Sequence, residues 1–355
     1  MQILAFSDNT SRSAISPSAA IVLLNYNGLE DTRKCLASLE RITYRPLLVI
    51  VVDNGSQEDS TGILRLEFPW CAVIRSERNE GWAGGNNIGI RYALGKDAEY
   101  VILLNNDTVV SEELVSRLMD AARAHPEFGI IGPVINDMEY PDQVQTDGCM
   151  FNRKDAPGFF QRKPVPLKRS HPPAITEVDI VNGCCMMISK RVFDTIGFIN
   201  ERFFLIHEES DFCLRAVEAG FRCGVIGESL VWHKHSASFN RAGNWRQRYY
   251  YVRNLFLLLR IHQTGHLESR SQYESWLAYF RHAYHCYCLE REQHSEKGAR
   301  AIAQGLCDAI SGRFGPWRQH FSFGSFIAMV ALEAAWKLRG SKAKQAENAL
   351  TAVDG

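Results

Sequence analysis

The 355-residue chain lacks three features that would each narrow its function. Lys plus Arg equals Asp plus Glu, at 40 each, so no overall charge indicates a nucleic-acid partner. The ten cysteines include no Cys-x-x-Cys pair, and neither Cys184-Cys185 nor Cys286 with Cys288 has zinc-ligand spacing. No apolar run reaches the roughly 18 residues that a membrane span needs. We therefore expect reduced, mostly buried thiols and a cytoplasmic protein.

The first 18 residues also lack the basic start and apolar block of a secretory signal, and we expect a flexible arm there. From Ala20 to about Val134, short apolar runs alternate with helical patterns, which predicts a parallel, doubly wound α/β sheet. Three of its strands end in polar loops: Asn25-Tyr26-Asn27-Gly28, Asp53-Asn54-Gly55-Ser56 and Asn105-Asn106-Asp107. Parallel strands bring those ends to one edge, which predicts a nucleotide-sized site.

The strand from Tyr100 to Leu104 is apolar throughout, as in a central strand that is buried on both faces. Asp107 follows it, and a carboxylate at a strand end can hold a hard divalent cation together with substrate phosphates. The structural alternative is that Asp107 caps a helix starting near Ser111.

The segment Asn79 to Asn87 has glycines at 81, 84 and 85, just before a helix predicted from about Asn86. Glycines let backbone approach a ligand closely, and a helix N-terminus favours phosphate. The segment is neither a P-loop nor a Gly-x-Gly-x-x-Gly fingerprint, so a tight loop around a buried Trp82 is the alternative.

Residues 138–173 hold six prolines and six basic residues and show no periodic pattern. A structureless segment of that length is typical of a mobile flap, here facing an anionic acceptor, or of a solvated insertion.

Three acids, Glu208, Glu209 and Asp211, follow a run of large apolar residues and open a predicted helix that ends at Gly220. Acids in a first turn interact well with the helix dipole, which is the structural explanation. The functional one is a general base beside a metal site, with its basicity raised by its neighbours. His233, after another apolar strand, is either a metal ligand or a structural histidine.

After Asn240 only helical patterns remain, at 245–261, 273–289 and 323–338, followed by a mostly polar tail from Ser341. Aromatic residues mixed with Arg and Lys suit packing on the preceding domain, a membrane surface or a dimer interface, and we favour packing.

Six segments carry a resemblance to a known family: Ile21-Val22-Leu23-Leu24-Asn25-Tyr26-Asn27-Gly28, Val51-Val52-Asp53-Asn54-Gly55-Ser56, Asn79 to Asn87, Leu104 to Asp107, Glu208 to Asp211 with Cys213-Leu214-Arg215, and Trp232-His233. In that order and spacing, the chain from about Ala20 to Arg260 resembles the family-two inverting glycosyltransferases with the GT-A fold. Within them it is most similar to the rhamnosyltransferase-like branch that builds bacterial surface polysaccharide.

The resemblance implies a Rossmann-like, mostly parallel central sheet flanked by helices, with an appended C-terminal helical region. It implies a GT-A domain at 19–240, with a donor half at 19–136, a flap at 137–175 and a catalytic half at 176–240. The sequence patterns outside that domain predict the flexible arm at 1–18. A helical region at 241–340 and a flexible tail at 341–355 would follow.

Carried onto this sequence, the resemblance implies that Asp53 and the backbone near Asn25 hold the base and ribose of a nucleotide-sugar. The glycine-rich segment would line the diphosphate and sugar. Asn105-Asn106-Asp107 matches the Asp-x-Asp motif with one carboxylate, and His233 matches a second metal ligand, for Mg²⁺ or Mn²⁺. The implied donor-binding residues are Asn25, Tyr26, Asn27, Asp53, Asn54, Asn79, Gly81, Trp82, Gly84, Gly85, Asn86, Asn106 and Asp107.

Two positions depart from the family pattern. Glu209 takes the place of the Asp that serves as base, and its extra methylene moves the carboxylate by about 1 Å, which leaves Glu208 and Asp211 as alternative bases. Trp82 replaces the more usual Phe, which implies altered sugar selection.

We therefore predict metal-dependent, inverting transfer of a sugar, with dTDP-rhamnose as the leading donor, to a hydroxyl of a glycan or lipid-linked glycan in cell-surface polysaccharide synthesis. The alternatives are a non-catalytic relative that binds nucleotide-sugar or glycan, and a sugar nucleotidyltransferase. A peripheral contact with the inner face of the plasma membrane and a homodimer stay open.

Overall fold

The computed structural model describes residues 19–58, 60–151, 159–234, 245–262, 269–320 and 322–351. The predicted arm at 1–18 and the end of the predicted tail, residues 352–355, lie outside them. The first half has the alternating order that the sequence predicts: β1 Ala19–Asn25, α1 Leu29–Leu39, β2 Leu47–Asp53, α2 Ser60–Glu67, β3 Ala72–Arg75, α3 Gly81–Leu94 and β4 Tyr100–Asn105.

These four strands are parallel, in the order β3-β2-β1-β4. Asn25 at the end of β1 lies opposite Asp53 at the end of β2, and Leu24 lies opposite Asn105 of β4. The register therefore brings the three polar strand ends to one edge of the sheet. The sequence predicted this edge.

The second half of the sheet is mixed rather than purely parallel. Its elements are β5 Thr108–Val110, α4 Leu114–Ala124, β6 Phe128–Asp137, β7 Val144–Thr146, β8 Cys149–Phe151, β9 Phe160–Arg162, β10 Ile175–Val178, β11 Cys185–Ser189, α5 Lys190–Ile196, α6 Glu208–Glu218 and β12 Arg222–His233. The full order is β10-β12-β6-β11-β4-β1-β2-β3, with β11 antiparallel to both β4 and β6. Apolar runs buried on both faces look alike in parallel and antiparallel strands, so the sequence could not show the reversal.

Two apolar clusters cover the two faces of the sheet. Along β1, Ala20 and Val22 pack into one cluster, whereas Ile21 and Leu23 pack into the other. Alternating side chains of one strand are therefore buried on both sides, which explains its continuous apolar sequence.

The segment predicted as a structureless flap is folded where it is described. β7 pairs with β6, and β8 pairs with β9 in a separate two-stranded sheet, while residues 152–158 lie outside the described residues. Buried Asp147 accepts hydrogen bonds from Arg162 Nε at 2.7 Å and from the Val165 backbone at 3.1 Å. One of the basic residues of this segment therefore pairs with an acid of the same segment.

The helical region comprises α7 Trp245–His262, α8 Ser269–Glu292, α9 Glu296–Ile310 and α10 Phe323–Thr351. α9 was not predicted, and α10 continues through residues 341–351, where a flexible tail was predicted. α7 packs on the sheet domain, as favoured, because Leu255, Leu257, Leu258 and Leu259 belong to the same apolar cluster as β1 and β4. Among the described residues, no helix has the length and hydropathy required to cross a bilayer.

Candidate active site

A cleft of 660 Å³ lies at the edge where β1, β2 and β4 end. Its sheet side includes residues of five of the six predicted motifs: Tyr26, Asn54, Asn79, Gly81, Trp82, Asn105, Asn106, Asp107 and His233. Its opposite side comes from the helical region, through Arg246, Gln247, Tyr250, Pro316 and Trp317. The predicted strand-end residues and the helical region thus share one cleft.

Asp107 and His233 form a pair within this cleft. Asp107 lies in the tight connection between β4 and β5, and β5 pairs with β12 so that Thr108 is opposite His233. Asp107 Oδ1 lies 3.2 Å from His233 Nε2, and the other ring nitrogen, Nδ1, lies 2.7 Å from Gln145 Oε1. With Gln145 as the acceptor, the proton is on Nδ1, and Nε2 carries the lone pair that a metal would use. Asn105 Nδ2 also lies 3.5 Å from Nε2.

The Asp107–His233 pair fits a small divalent cation. Two neighbouring ligands of an octahedral Mg²⁺ at about 2.1 Å from the metal are about 3 Å apart, close to the separation of these two atoms. Within the described residues, no group of three or more His, Cys, Asp or Glu side chains could hold a metal. The remaining ligands would be water and substrate phosphates, the pattern that Mg²⁺ favours.

The two asparagines before Asp107 serve different contacts. Asn105 Oδ1 accepts a hydrogen bond from Trp82 Nε1 at 3.2 Å, inside the cleft. Asn106 Nδ2 donates to Thr32 Oγ1 at 2.8 Å, on α1. Asp107 is therefore the only carboxylate that this motif brings to the cleft.

Asp53, which the resemblance assigned to the nucleotide, is fully buried at the end of β2. Its Oδ1 accepts from the Ser56 backbone at 3.0 Å, and its Oδ2 accepts from Ser60 Oγ at 2.7 Å and Thr61 Oγ1 at 3.1 Å. Burial opposes ionisation, but these hydrogen bonds outweigh it and lower the pKa of Asp53 below its ordinary value. The carboxylate thus shapes the loop in this structure, and its contact with a nucleotide stays a prediction.

The other predicted residues of these two loops divide into exposed and buried ones. Tyr26 is 45% exposed and lines the cleft, whereas Asn25 is buried and accepts a hydrogen bond from Thr32 Oγ1 at 3.0 Å. Asn27 Oδ1 accepts from the Gln57 backbone at 2.9 Å, which ties the first loop to the second. Asn54 Nδ2 donates to the Gly81 carbonyl at 3.0 Å, so the second loop supports the glycine-rich segment.

The glycine-rich segment forms the first turns of α3, because the helix begins at Gly81 and not near Asn86 as predicted. Gly81 has φ 74°, and a Cβ there would lie 2.2 Å from the Phe204 carbonyl oxygen. A Cβ at Gly85 would lie 2.4 Å from Leu24 Cδ1, so this glycine lets α3 pack closely on β1. A Cβ at Gly84 would lie 2.8 Å from Glu80 Cβ, and Asn86 Nδ2 donates to the Trp82 carbonyl at 2.9 Å. Gly81 and Trp82 line the cleft, whereas the contacts of Gly84, Gly85 and Asn86 are structural.

The three candidate acids begin α6, and their environments differ. Asp211 is fully buried, with Oδ2 2.9 Å from Arg215 Nε and Oδ1 3.1 Å from His262 Nε2. Glu208 is buried with Oε2 lacking a hydrogen-bond partner among the described residues, and burial, with repulsion from Glu209, raises its pKa well above its ordinary value. Asp211 is therefore held by two partners, whereas burial and the neighbouring Glu209 oppose ionisation of Glu208.

Glu209 is the candidate acid that lies beside the cleft. A Cβ placed on Gly183 would lie 3.2 Å from Trp82 Cζ2 and 3.3 Å from Glu209 Cβ, so all three residues meet at one point. Burial raises the pKa of Glu209, whose Oε1 is 3.5 Å from Ser210 Oγ. A carboxylate of raised pKa next to a ligand cleft is suited to accept a proton near neutral pH.

Several residues that line or orient the site were not predicted from the sequence. Gln145, in the predicted flap, orients the His233 ring. Tyr250 stacks on Phe204 with a ring separation of 5.5 Å, and its hydroxyl accepts a hydrogen bond from the Trp317 backbone at 2.7 Å. For the side of the cleft that the helical region forms, the sequence indicated only a mixture of aromatic and basic residues at the start of that region.

Comparison with known proteins gives concordant results. A family model described as "Glycosyl transferase family 2" matches residues 20–197. The low-salt glycan biosynthesis hexosyltransferase Agl10 of Haloferax volcanii is 30% identical over 261 residues, covering 70% of this chain and 78% of the relative. The dTDP-rhamnosyl transferase RfbF of Shigella flexneri is 28% identical, covering 67% and 79%. An N-acetylglucosaminyl-diphospho-decaprenol L-rhamnosyltransferase of Mycobacterium tuberculosis is 26% identical, covering 62% and 77%.

Solved structures share the fold at low sequence identity. Residues 1–349 of S. aureus TarS match with a TM-score of 0.52 and 13% identity, covering 83% of both chains. GalNAc-T7, solved with UDP, GalNAc and Mn²⁺, matches with a TM-score of 0.53 and 16% identity over 62% of this chain and 43% of its own. These matches confirm the predicted GT-A fold, and the relatives' names favour glycosyl transfer over nucleotidyl transfer. The chain is a glycosyltransferase of family two, and its curated relatives place it near the rhamnosyltransferases.

Proposed function

We propose that this glycosyltransferase uses a divalent metal to move rhamnose from dTDP-rhamnose, with inversion, to a lipid-linked glycan. The observation that supports metal-dependent transfer is the Asp107–His233 pair, which lies in the same cleft as Trp82. Trp82 and Glu209 both border Gly183. The names of two relatives, a dTDP-rhamnosyl transferase and an L-rhamnosyltransferase, favour rhamnose as the sugar.

The proposed acceptor is inferred from the side of the cleft that the helical region forms, through Arg246, Gln247, Tyr250, Pro316 and Trp317. We call this side the helical wall. The mycobacterial relative is named for N-acetylglucosaminyl-diphospho-decaprenol, a sugar on a lipid diphosphate. In this chain the helical wall includes Arg246. Its guanidinium lies 5.2 Å from the Trp245 ring and 5.6 Å from the Trp317 ring. A cation on an aromatic surface offers both charge for a phosphate and a flat apolar face for a sugar ring.

The proposed reaction is one displacement at the anomeric carbon. Asp107 and His233 would hold the metal, which supplies positive charge for the departing nucleoside diphosphate. Glu209 would take the proton of the acceptor hydroxyl as the new bond forms. Trp82, with its indole hydrogen-bonded to Asn105, would bound the sugar between these groups and help to exclude water. A single displacement inverts the anomeric centre.

A donor panel tests both the donor and the metal. We expect nucleotide release from dTDP-rhamnose with Mg²⁺ or Mn²⁺ and an N-acetylglucosaminyl-diphospho-prenol acceptor, and much less from UDP- and GDP-sugars. EDTA should abolish release, because the leaving group then lacks charge neutralisation. Undiminished release in EDTA would contradict the metal assignment. Release from another sugar alone would contradict the donor, and no release from any donor would contradict the acceptor or the transfer itself.

We also propose that α10 contacts the membrane that carries such an acceptor. Phe323, Phe326, Ile327 and Val330 are 79%, 49%, 52% and 49% exposed and follow helical spacing along one face. Such an apolar face is typical of helices that lie in a membrane interface. We expect the wild-type protein to float with anionic liposomes. A variant with Phe323→Ser, Phe326→Ser and Ile327→Ser should stay in the soluble fraction.

Leu66→Ser is the matched control for the flotation experiment, because Leu66 is 85% exposed on α2, in a different part of the fold. It should float like wild type. A wild-type protein that stays wholly in the soluble fraction would contradict the membrane contact. A homodimer through the same face would instead appear as a doubled mass in analytical ultracentrifugation.

A further inference from the structure

The segment Phe203–His207, which immediately precedes the candidate acids, has a disfavoured backbone. Phe204, Ile206 and His207 have φ of 64°, 73° and 71°, in the left-handed region that non-glycine residues rarely adopt. Such a conformation persists only where surrounding contacts impose it. The contacts that hold this segment are therefore informative.

Two adjacent side chains of α7 supply those contacts. Asn254 Nδ2 lies 2.8 Å from each of the Phe203, Leu205 and Ile206 carbonyl oxygens, so its two hydrogens are shared among three acceptors. Arg253 Nη2 donates to the Phe203 carbonyl at 3.0 Å. Both side chains are buried, where each lost hydrogen bond would leave a carbonyl unsatisfied.

Arg253 also fixes the orientation of the Asn254 amide. Its Nε donates to Asn254 Oδ1 at 2.9 Å, which directs Nδ2 toward the carbonyl oxygens. Its Nη1 donates to the Gly315 carbonyl at 2.6 Å and lies 3.3 Å from Tyr249 Oη. The guanidinium is thus built into the junction between the helical region and the 203–207 segment.

The 203–207 segment contacts both the donor-binding residues and α6, the helix that carries Glu209. On the donor side, the Phe204 carbonyl accepts a hydrogen bond from the Trp82 backbone at 2.8 Å. On the acid side, His207 is the N-cap of α6, so the path of the segment sets where that helix starts and with it the position of Glu209 in its first turn. Any shift of the segment would change the distance between Glu209 and the sugar-facing Trp82.

We propose that Arg253 and Asn254 are positioning residues, which set Glu209 relative to Trp82 by holding the 203–207 segment. This inference rests on the proposed function, in which Glu209 is the base. On this account the helical region is part of the catalytic apparatus, and not only an appended packing or membrane-binding unit.

The test is a double-variant cycle between Asn254→Ala and Glu209→Gln. A displacement of about 1 Å can cost on the order of a hundredfold in rate. We expect Asn254→Ala alone to lower kcat by about 30- to 100-fold, with the donor KM changed less than about threefold. In the Glu209→Gln background, the same substitution should lower kcat by less than about threefold, because the base it positions is already absent.

The matched control is Tyr279→Phe. Tyr279 is fully buried and donates to the Val252 carbonyl at 3.0 Å, so it contacts α7 one residue away but on the side of α8. We expect it to lower Tm without lowering kcat, measured well below its own Tm. Should Asn254→Ala fail to fold, Arg253→Lys replaces it, since it keeps the charge but loses the fork that orients the amide.

The outcomes of these experiments test two assignments, the positioning role of Asn254 and the role of Glu209 as the base. Equal losses from Asn254→Ala in both backgrounds, or no loss in either, would overturn the positioning role. A kcat loss in Tyr279→Phe as large as that in Asn254→Ala would also overturn it, since any weakening of α7 would then suffice. Wild-type kcat in Glu209→Gln alone would instead overturn the assignment of the base in the proposed function.

Discussion

Asp107→Ala is expected to lower kcat about a thousandfold. The side chain is the only carboxylate that the 105–107 motif brings to the cleft, and it pairs with His233 at the separation of two ligands on one cation. Metal charge at a leaving phosphate contributes several kcal/mol to the transition state, and each 1.4 kcal/mol is tenfold in rate. The measurement is kcat at saturating donor and metal, with metal affinity measured in parallel.

Asp120→Ala is the matched control for this substitution. Asp120 is an acid of α4 that pairs at 3.4 Å with the exposed Arg123, away from the cleft. It should change kcat less than about twofold, as expected for a surface ion pair. An Asp107→Ala enzyme that keeps more than a tenth of wild-type kcat would contradict a metal-binding role.

Glu209→Gln is the second substitution with a large expected effect, a loss of kcat of about a thousandfold. General base catalysis contributes about 10²- to 10⁴-fold, and an amide cannot accept the proton. Nucleotide affinity should be retained, because neither the Asp107–His233 pair nor the strand-end loops depend on the charge of this side chain. Glu208→Gln should cost less than about tenfold in kcat, since the side chain is 4% exposed, and burial with repulsion from Glu209 raises its pKa.

The pH profile provides an independent readout of Glu209. Burial raises its pKa, so the proton is lost at a higher pH than from an exposed glutamate. The base must be ionised to accept a proton. Wild-type kcat should therefore be low at pH values below this raised pKa and increase as the pH passes through it. In Glu209→Gln this acid limb should disappear. A larger loss in Glu208→Gln than in Glu209→Gln would move the base to Glu208.

The sequence correctly predicted the sheet edge at which the polar strand ends meet, because the signals for that edge lie within short segments of the chain. Polar residues directly after buried apolar runs mark strand ends, and parallel pairing then places Asn25, Asp53 and Asn105 side by side. The family motifs added the pairing of Asp107 with His233, which are distant in sequence and meet through β5 and β12.

Other features depend on tertiary contacts that no local pattern contains. α3 begins at Gly81 because Asn54 and the Phe204 carbonyl hold that turn, and both contacts come from elsewhere in the chain. α9 was not predicted, although its apolar residues follow helical spacing. Much of its buried face is made of small residues such as Ala299, Ala303 and Gly305, and Gly305 allows close packing on α7. The Arg253–Asn254 contacts were equally hidden, since a buried arginine in an aromatic helix resembles a solvent-facing one in sequence.

In the proposed reaction, Glu209 and the Asp107–His233 pair carry out a single displacement on a nucleotide-sugar. The most direct test is the anomeric configuration of the transferred sugar, read by NMR from product formed on an N-acetylglucosaminyl-diphospho-prenol acceptor. We expect a configuration opposite to that of the donor, both in the product of wild type and in the residual product of Glu209→Gln. Retention of the donor configuration would contradict this mechanism, because a single displacement with the acceptor opposite the leaving group inverts the anomeric centre.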